Sequence, residues 1–249
     1  MAVNQLRADR PNFDFPLDQG IEWFDSDTGC TIVVSTPTTD PGLWSDFIDG
    51  AARSYHKHGI ENALDIDSLA DEANTQLFHA VVSDAGAVMA GIRAKGPLKS
   101  PEESHALVEW QSSPGLHMAH KMISDRVPFG VVEMKTAWIS DNPGRSRFLA
   151  STLARTPFTA MALLNAQFVL ATAGVHVLNR WRTSGGVVAT KVPATPYPDD
   201  RYRTKMMWWD RGTFTNHADP AQVSKIFNEM AILARQLDHV NGRALGSGL

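Results

Sequence analysis

Two adjoining stretches of the chain carry residue types able to do chemistry. Glu133 lies inside FGVVEMKTAWIS, residues 129–140, an otherwise apolar strand pattern. A carboxylate in such a strand is costly unless it is paired, hydrogen-bonded or hydrated. Strict alternation puts Val131, Glu133, Lys135, Ala137 and Ile139 on one face. Two readings follow: a functional carboxylate, or a Glu133–Lys135 surface pair on an edge strand. The strand leads into Asp141-Asn142-Pro143-Gly144-Arg145-Ser146-Arg147. Small residues at Gly144 and Ser146 would let main-chain N–H groups approach an anion, and a helix beginning near Ser146 would add its N-terminal partial positive charge. Arg145 and Arg147 supply charge-assisted donors. Asp141 argues the other way, for an ordinary polar turn, because it would sit badly beside a phosphate.

The remaining reactive side chains give weaker signals. Glu109, in HALVEWQ, is a second and weaker candidate for a proton-accepting carboxylate, with a place on a solvated helix face as the favoured reading. Nine histidines invite a metal reading, but His56 and His58 are two apart and His117 and His120 lack a third ligand at zinc-like spacing, so no metal is expected. His79, in LFHAVV, reads as a satisfied core histidine. Cys30 stands alone in a strand pattern, which excludes an internal disulfide and points to a buried, inert thiol; a cytoplasmic location is compatible with this. In KMMWWD, residues 205–210, alternation puts Met207 and Trp209 on one face and Met206 and Trp208 on the other. Flexible methionines and broad indoles suit an apolar tunnel for an acyl chain, and equally a core or a dimer interface. Met118, Met122, Met134 and Met161 tip the balance toward a medium or long acyl group.

These residues are set in a chain of 249 residues, 43% hydrophobic and 20% charged, enough for one sizeable core. A net charge of -4 and a pI near 6.1 leave no electrostatic footprint for nucleic acid. No apolar run approaches the ~20 residues of a membrane span, and the N-terminus lacks a signal peptide's apolar stretch. Residues 1–20 read as an arm, 21–240 as a single domain, and 241–249 as a flexible tail. Within the domain, a hairpin turns at Asp27-Thr28-Gly29 and a second at Asp84-Ala85-Gly86. Asp40 caps a helix with Pro41 at its first position. A mostly helical connection occupies 101–126. Pro157 kinks or divides a helical region running from about 146 to 166, with Thr156 as a new cap. QFVLATAG is a short buried strand, VHVLNRWRTSGG a short helix stopped by glycines, and two strands flank a proline-rich loop between 187 and 210. Asp219-Pro220 opens a final amphipathic helix ending near Gly242. The order β-β-α, β-β, α, β-α, β-α, β-β, α specifies a mixed α/β (α+β) sheet covered by helices.

In that order, and in GVVEMKTAWIS followed by DNPGRSRFLAS, the chain resembles the GNAT acyltransferase superfamily over roughly residues 30–210. ALDIDSLADEANTQLFHAVVSDAGAVMAGIRA and the internal glutamate of VVEMKTAWIS are most similar to the acyl-homoserine lactone synthases and long-chain N-acyl amino acid synthases. The resemblance implies a mostly antiparallel sheet with a V-shaped splay between the fourth and fifth core strands. It implies N-acyl transfer from an acyl-CoA or acyl-carrier-protein phosphopantetheine thioester to the amine of an amino acid or small metabolite, with no metal. Glu133 would then be the general base that frees the amine's lone pair. Main-chain donors at Trp138, Ile139 and Ser140 would polarise the thioester carbonyl, and Gly144, Arg145, Ser146 and Arg147 would hold the donor's phosphates. Where many members of the superfamily carry a tyrosine that protonates the leaving thiolate, this chain has Trp181, whose indole N–H is no useful acid. The alternative is a non-catalytic, acyl-thioester-binding or regulatory module on the same fold. A small-molecule acceptor, an acyl carrier protein and a homodimer are the partners this reading admits.

Overall fold

The computed structural model describes residues 19–64, 69, 74–141 and 144–246, with side chains as far as 238. Most of the expected arm and of the acidic lead-in at 65–73, Asn142 and Pro143 of the turn, and residues 247–249 lie outside the described residues. Eight strands form one sheet: β1 (Ile21–Asp25), β2 (Cys30–Ser35), β3 (Leu77–Val82), β4 (Val88–Lys95), β5 (Val131–Ile139), β6 (Phe168–Gly174), β7 (Val187–Val188) and β8 (Thr204–Asp210). Their spatial order is β1-β2-β3-β4-β5-β6-β8-β7. Every neighbouring pair is antiparallel except β5 with β6. The helices are α1 (Pro41–His58), α2 (His105–Glu109), α3 (Leu116–Ser124), α4 (Ser146–Leu153), α5 (Thr156–Leu163), α6 (Leu178–Arg182) and α7 (Pro220–Gly246).

Local chemistry accounts for most of these boundaries. Asp40 Oδ1 accepts from Leu43 N at 2.9 Å, Pro41 opens α1, and Gly59, at φ 61°, ends it. Pro157 divides the helical region into α4 and α5 as its missing N–H requires, but Thr156 is not the cap. Its hydroxyl donates back to the Leu153 carbonyl at 2.7 Å, and Arg155 occupies the cap position. The last helix continues past Gly242 to Gly246. No helix among the described residues is long and apolar enough to cross a membrane.

The sheet buries both faces. Ile32, Leu77, Ile92, Val132 and Met134 pack toward α4, α5 and α7. On the other face, Trp44 and Phe47 of α1 pack on Phe78, Ala80 and Trp138, while Trp110 and Ile123 pack on Val131, Leu170 and Trp208. KMMWWD is core on both faces: Met207 and Trp209 join the first cluster, Met206 and Trp208 the second. Met134 and Met161 also lie in the core, whereas Met118 is exposed, so the burial of the KMMWWD strand is explained by core packing.

The alternation expected along β5 breaks at Thr136, whose φ is +54°. Arg93 faces Lys135 but Gly91 faces Trp138, so β5 carries one residue more than β4 between these pairs. Glu133 and Lys135 therefore share a face with Trp138, while Ala137 and Ile139 turn toward the α4–α5 side.

A buried ion network ties the sheet edge to the helices. Arg155, at the joint of α4 and α5, donates to Asp25 Oδ1 at 3.0 Å, to Glu229 Oε1 at 2.7 Å and to Gln222 Oε1 at 3.2 Å. Removing one member of such a set strands the others' charges in a dry interior. Arg155→Ala should lower unfolding free energy by about 3–5 kcal/mol, read as a lower urea midpoint at unchanged slope.

His79 is fully buried on β3. Thr159 donates its hydroxyl to the Thr156 carbonyl at 2.9 Å, so the 2.5 Å contact from His79 Nε2 to Thr159 Oγ1 assigns the ring proton to Nε2. Nδ1 has no partner among the described residues, so the core histidine is only half satisfied. Burial pushes its pKa down to about 3. The unfolded imidazole takes up a proton near its ordinary value, about 6.5, and the folded one only near 3. The stability this group confers is thus fully present above about pH 6.5 and is lost progressively as pH falls toward 3. His79→Leu should flatten that part of the stability–pH curve, measured by urea unfolding at a series of pH values.

Candidate active site

β5 and β6 pair only from Val131↔Phe168 to Met134↔Ala171. Beyond this point β5 stays with β4 as far as Ala90↔Ile139, and β6 stays with β8 as far as Gly174↔Thr204. The sheet therefore forks. On the β6 side the fork is lined by Thr172, Ala173 and Gly174, all partly exposed, whose small size leaves a slot. On the β5 side, Ser140 N donates to Met89 O at 2.7 Å and Trp138 pairs with Gly91. Antiparallel alternation then turns the main-chain groups of Ala137 and Ile139 away from β4, into the fork. Of the three expected main-chain donors, Ile139 faces the opening, whereas the amide of Ser140 is committed to β4. Trp138, Ile139 and Ser140 also line a cavity of about 170 Å³ between the strand end and α1, with Gly50, Arg53, Ser54, Val88 and Asp141. The Trp138 ring occupies the space a Cβ at Gly50 would need, 2.0 Å away, which is why α1 can lie this close.

Glu133 is where the structure departs most from expectation. It is 1% exposed, so it belongs to no surface pair. Its Oε1 accepts from Ser104 Oγ at 3.1 Å and from Ala106 N at 3.0 Å, and its Oε2 accepts from His105 N at 2.9 Å. These donors are the unpaired first-turn groups of α2 and its cap residue. Glu133 thus caps a helix from a neighbouring strand, a use that engages both of its oxygens.

Glu109 takes the opposite course. Expected on a solvated face, it is 8% exposed at the end of α2. Ala106, Glu109 and Trp110 share one helix face at i, i+3 and i+4, and both apolar members are buried. That spacing was the sequence signal for its burial. Oε1 accepts from Thr172 Oγ1 at 2.9 Å, while Oε2 is buried without a hydrogen-bond partner among the described residues. Burial, and then the charge of Glu133, push its pKa up to about 8, opposed by the Thr172 hydrogen bond and by Lys135. Around it lie polar groups that no short motif announced. Burial raises the Tyr55 hydroxyl well above the usual phenol range, with Arg93, Tyr197 and Glu109 as its charged neighbours. Arg93, fully buried on β4, donates to Thr136 Oγ1 at 3.1 Å and Thr75 Oγ1 at 3.1 Å. His105 Nε2 meets Tyr197 Oη at 3.2 Å.

The turn at the end of β5 leads into α4 at Ser146, as its composition requires. Among the described residues no side-chain cap is made by Arg145, the residue at the N-cap of α4. Asp141 forms an ion pair with Lys57 from the last turn of α1, which partly offsets its charge. Gly144, Arg145 and Arg147 are exposed and Ser146 is partly buried. Arg145 reaches back to Cys30 Sγ at 3.9 Å, and the Arg147 guanidinium lies 5.0 Å from the Phe148 ring centre. Trp181 stands edge-on to Trp209 at 6.3 Å, packed on the α4–α5 side of the sheet. His56 bonds Glu61 and His120 bonds Glu102 at the surface. No group of three or more metal-ligating side chains gathers among the described residues.

No protein-family model matches the chain. It is 47% identical over 238 residues to the uncharacterized proteins Rv1356c of Mycobacterium tuberculosis and Mb1391c of Mycobacterium bovis, covering 96% of this chain and 90% of each relative. Among solved structures it resembles FeeM, an N-acyl amino acid synthase from uncultured soil microbes, with a TM-score of 0.54 at 11% identity over 78% of this chain and 97% of that one. The AHL synthase LasI follows, at 0.52 and 15% identity over 73% and 91%. BjaI, a CoA-dependent acyl-homoserine lactone synthase solved with SAM and isopentyl-CoA, gives 0.50 and 13% over 82% and 90%. These superpositions show a shared GNAT-like fold.

Glu133→Ala should cost on the order of 3 kcal/mol, because it leaves the Ser104 hydroxyl and the His105 amide without this acceptor and the Ala106 amide with only its longer bond to Ser104 Oγ at 3.3 Å. Thermal or urea unfolding reads the loss, and Glu133→Gln, which keeps one acceptor oxygen, should lose less.

Proposed function

Since the chain belongs to the family of the mycobacterial proteins Rv1356c and Mb1391c and has the GNAT acyltransferase fold, we propose that it moves an acyl group from a thioester to an amine. The donor is an acyl-CoA or the phosphopantetheine arm of an acyl carrier protein, and the acceptor is an amino acid or another small amine. The observation that carries this reading is the fork. Two strands part after four paired residues, and main-chain groups of Ala137 and Ile139 face the gap. A thioester lying along β5 would place its carbonyl against donors already fixed by the sheet, which stabilise the oxyanion without reorganisation. At the mouth of the same strand, Gly144, Arg145, Ser146 and Arg147 offer helix amides and exposed cations to the donor's phosphates. The Lys57–Asp141 pair supports this by partly offsetting, with a neighbouring cation, the negative charge that counted against the turn. FeeM and BjaI carry N-acyl amino acid and CoA-dependent chemistry on the same fold, which supports the same class of donor and acceptor here.

Release of free thiol from a panel of acyl-CoA and acyl-carrier-protein thioesters, with amino acids and small amines as acceptors, tests the proposal. Turnover with at least one pair is expected. Binding of donors with no thiol release across the panel would instead identify a non-catalytic module. Gly144→Trp should weaken donor binding roughly tenfold or more, equivalent to about 1.4 kcal/mol, while leaving the thermal midpoint close to wild type.

A further inference from the structure

On the acyl-transfer reading, the amine must lose a proton and the thiolate must gain one, yet Glu133 is engaged in capping α2 and Trp181 is no acid. We propose that Glu109 carries out both transfers: its carboxylate takes the proton shed by the acceptor nitrogen as that nitrogen bonds to the thioester carbonyl carbon, and the resulting acid returns it to the sulfur as the C–S bond breaks. The step balances without another reactant, since acyl thioester and amine become amide and thiol.

Position comes first. Thr172, which holds Glu109 Oε1 at 2.9 Å, is the first β6 residue beyond the last paired couple, Met134↔Ala171. Glu109 therefore sits at the vertex of the fork, where the two strands begin to diverge. Its second oxygen has unused capacity: Oε2 is buried and unpartnered among the described residues. A buried carboxyl oxygen in that condition keeps its acceptor capacity for a group brought against it. Glu133 shows the contrast, being equally buried and accepting three hydrogen bonds.

The surroundings tune the group for this task. Facing it are Glu133 and Lys135 from β5 and Thr172 from β6, with Tyr55 of α1 as a further electrostatic neighbour. Desolvation and the like charge of Glu133 raise its pKa to about 8, against the pull of Thr172 and Lys135. An alkyl thiol ionises near 8.5, so a proton passes between the two with little free-energy change in either direction. A carboxyl group poised near working pH is what general acid–base transfer requires.

The test measures thiol release against pH, from about pH 6 to about pH 10. Wild-type kcat/KM, which reports the free protein, should rise with pH, with a midpoint near 8 as the carboxylate forms. Glu109→Gln should lose that rise and ~10²–10⁴-fold in kcat, while binding of a non-reactive CoA thioether changes little. Glu109→Asp should keep the rise at a reduced rate. Glu109→Gln with near wild-type kcat, or with the pH dependence unaltered, overturns the proposal and leaves the acyl-transfer reading intact. Absence of thiol release from wild type with every donor overturns that reading, and the proposal with it. Infrared spectroscopy of the wild-type protein needs no variant to fold. A protonated-carboxyl stretch that persists at pH 7 and vanishes near pH 9 is expected, and its absence at pH 7 overturns the proposal.

Discussion

Beyond Met134 and Ala171 the backbones of β5 and β6 have no claim on each other, and the site exists because of that separation. Buried backbone polar groups must be satisfied somewhere. β5 satisfies one edge through β4 and leaves the other facing the gap, while β6 does the same through β8. The extra residue at Thr136 shifts the pairing with β4 just where the fork opens, which sends Ala137 and Ile139 in one direction and Trp138 in the other. An unbroken strand would have presented a different set of main-chain groups to a substrate. The helices on either face hold the two arms of the fork apart: α1 lies against β4 and β5 through Gly50, while α5 is fixed by the Arg155 network.

Two carboxylates close to the vertex illustrate how environment divides roles between chemically similar groups. Glu133 meets the unpaired amides at the start of α2 and becomes part of the scaffold. Glu109 closes the same five-residue helix and is held by Thr172 at the vertex of the fork, with one buried oxygen lacking a hydrogen-bond partner among the described residues. The first supports the second, because a fixed negative charge nearby disfavours ionisation of its neighbour. At the mouth of the fork, Lys57 from α1 pairs with Asp141 and partly offsets its charge in a turn that is otherwise donor-rich.

Much of this architecture was legible in the residues. Asp40 and Pro41 announced α1, Pro157 the division of α4 from α5, and the order of hairpins and helices the mixed sheet. The turn at Gly144 and the start of α4 at Ser146 followed from composition alone. The site was legible only in part. Glu133 stood out as a carboxylate in an apolar strand, but the donors that occupy it come from Ser104, His105 and Ala106, far away in sequence. Glu109 was hidden in a helix too short for its periodicity to be weighed, although Ala106 and Trp110 on the same face marked it as buried. Arg93, Tyr55 and Tyr197 belong to three different elements and form no motif.

The sequence by itself determined the elements, their order and the turn at the strand's end, because caps, prolines, glycines and apolar period act within a few residues of one another. Tertiary structure alone decided which glutamate accepts three hydrogen bonds and which keeps an oxygen without one, that Asp141 is paired with Lys57, and that the methionine–tryptophan strand is core. Those outcomes depend on desolvation and on donors brought from distant elements, and neither quantity exists until the chain has folded.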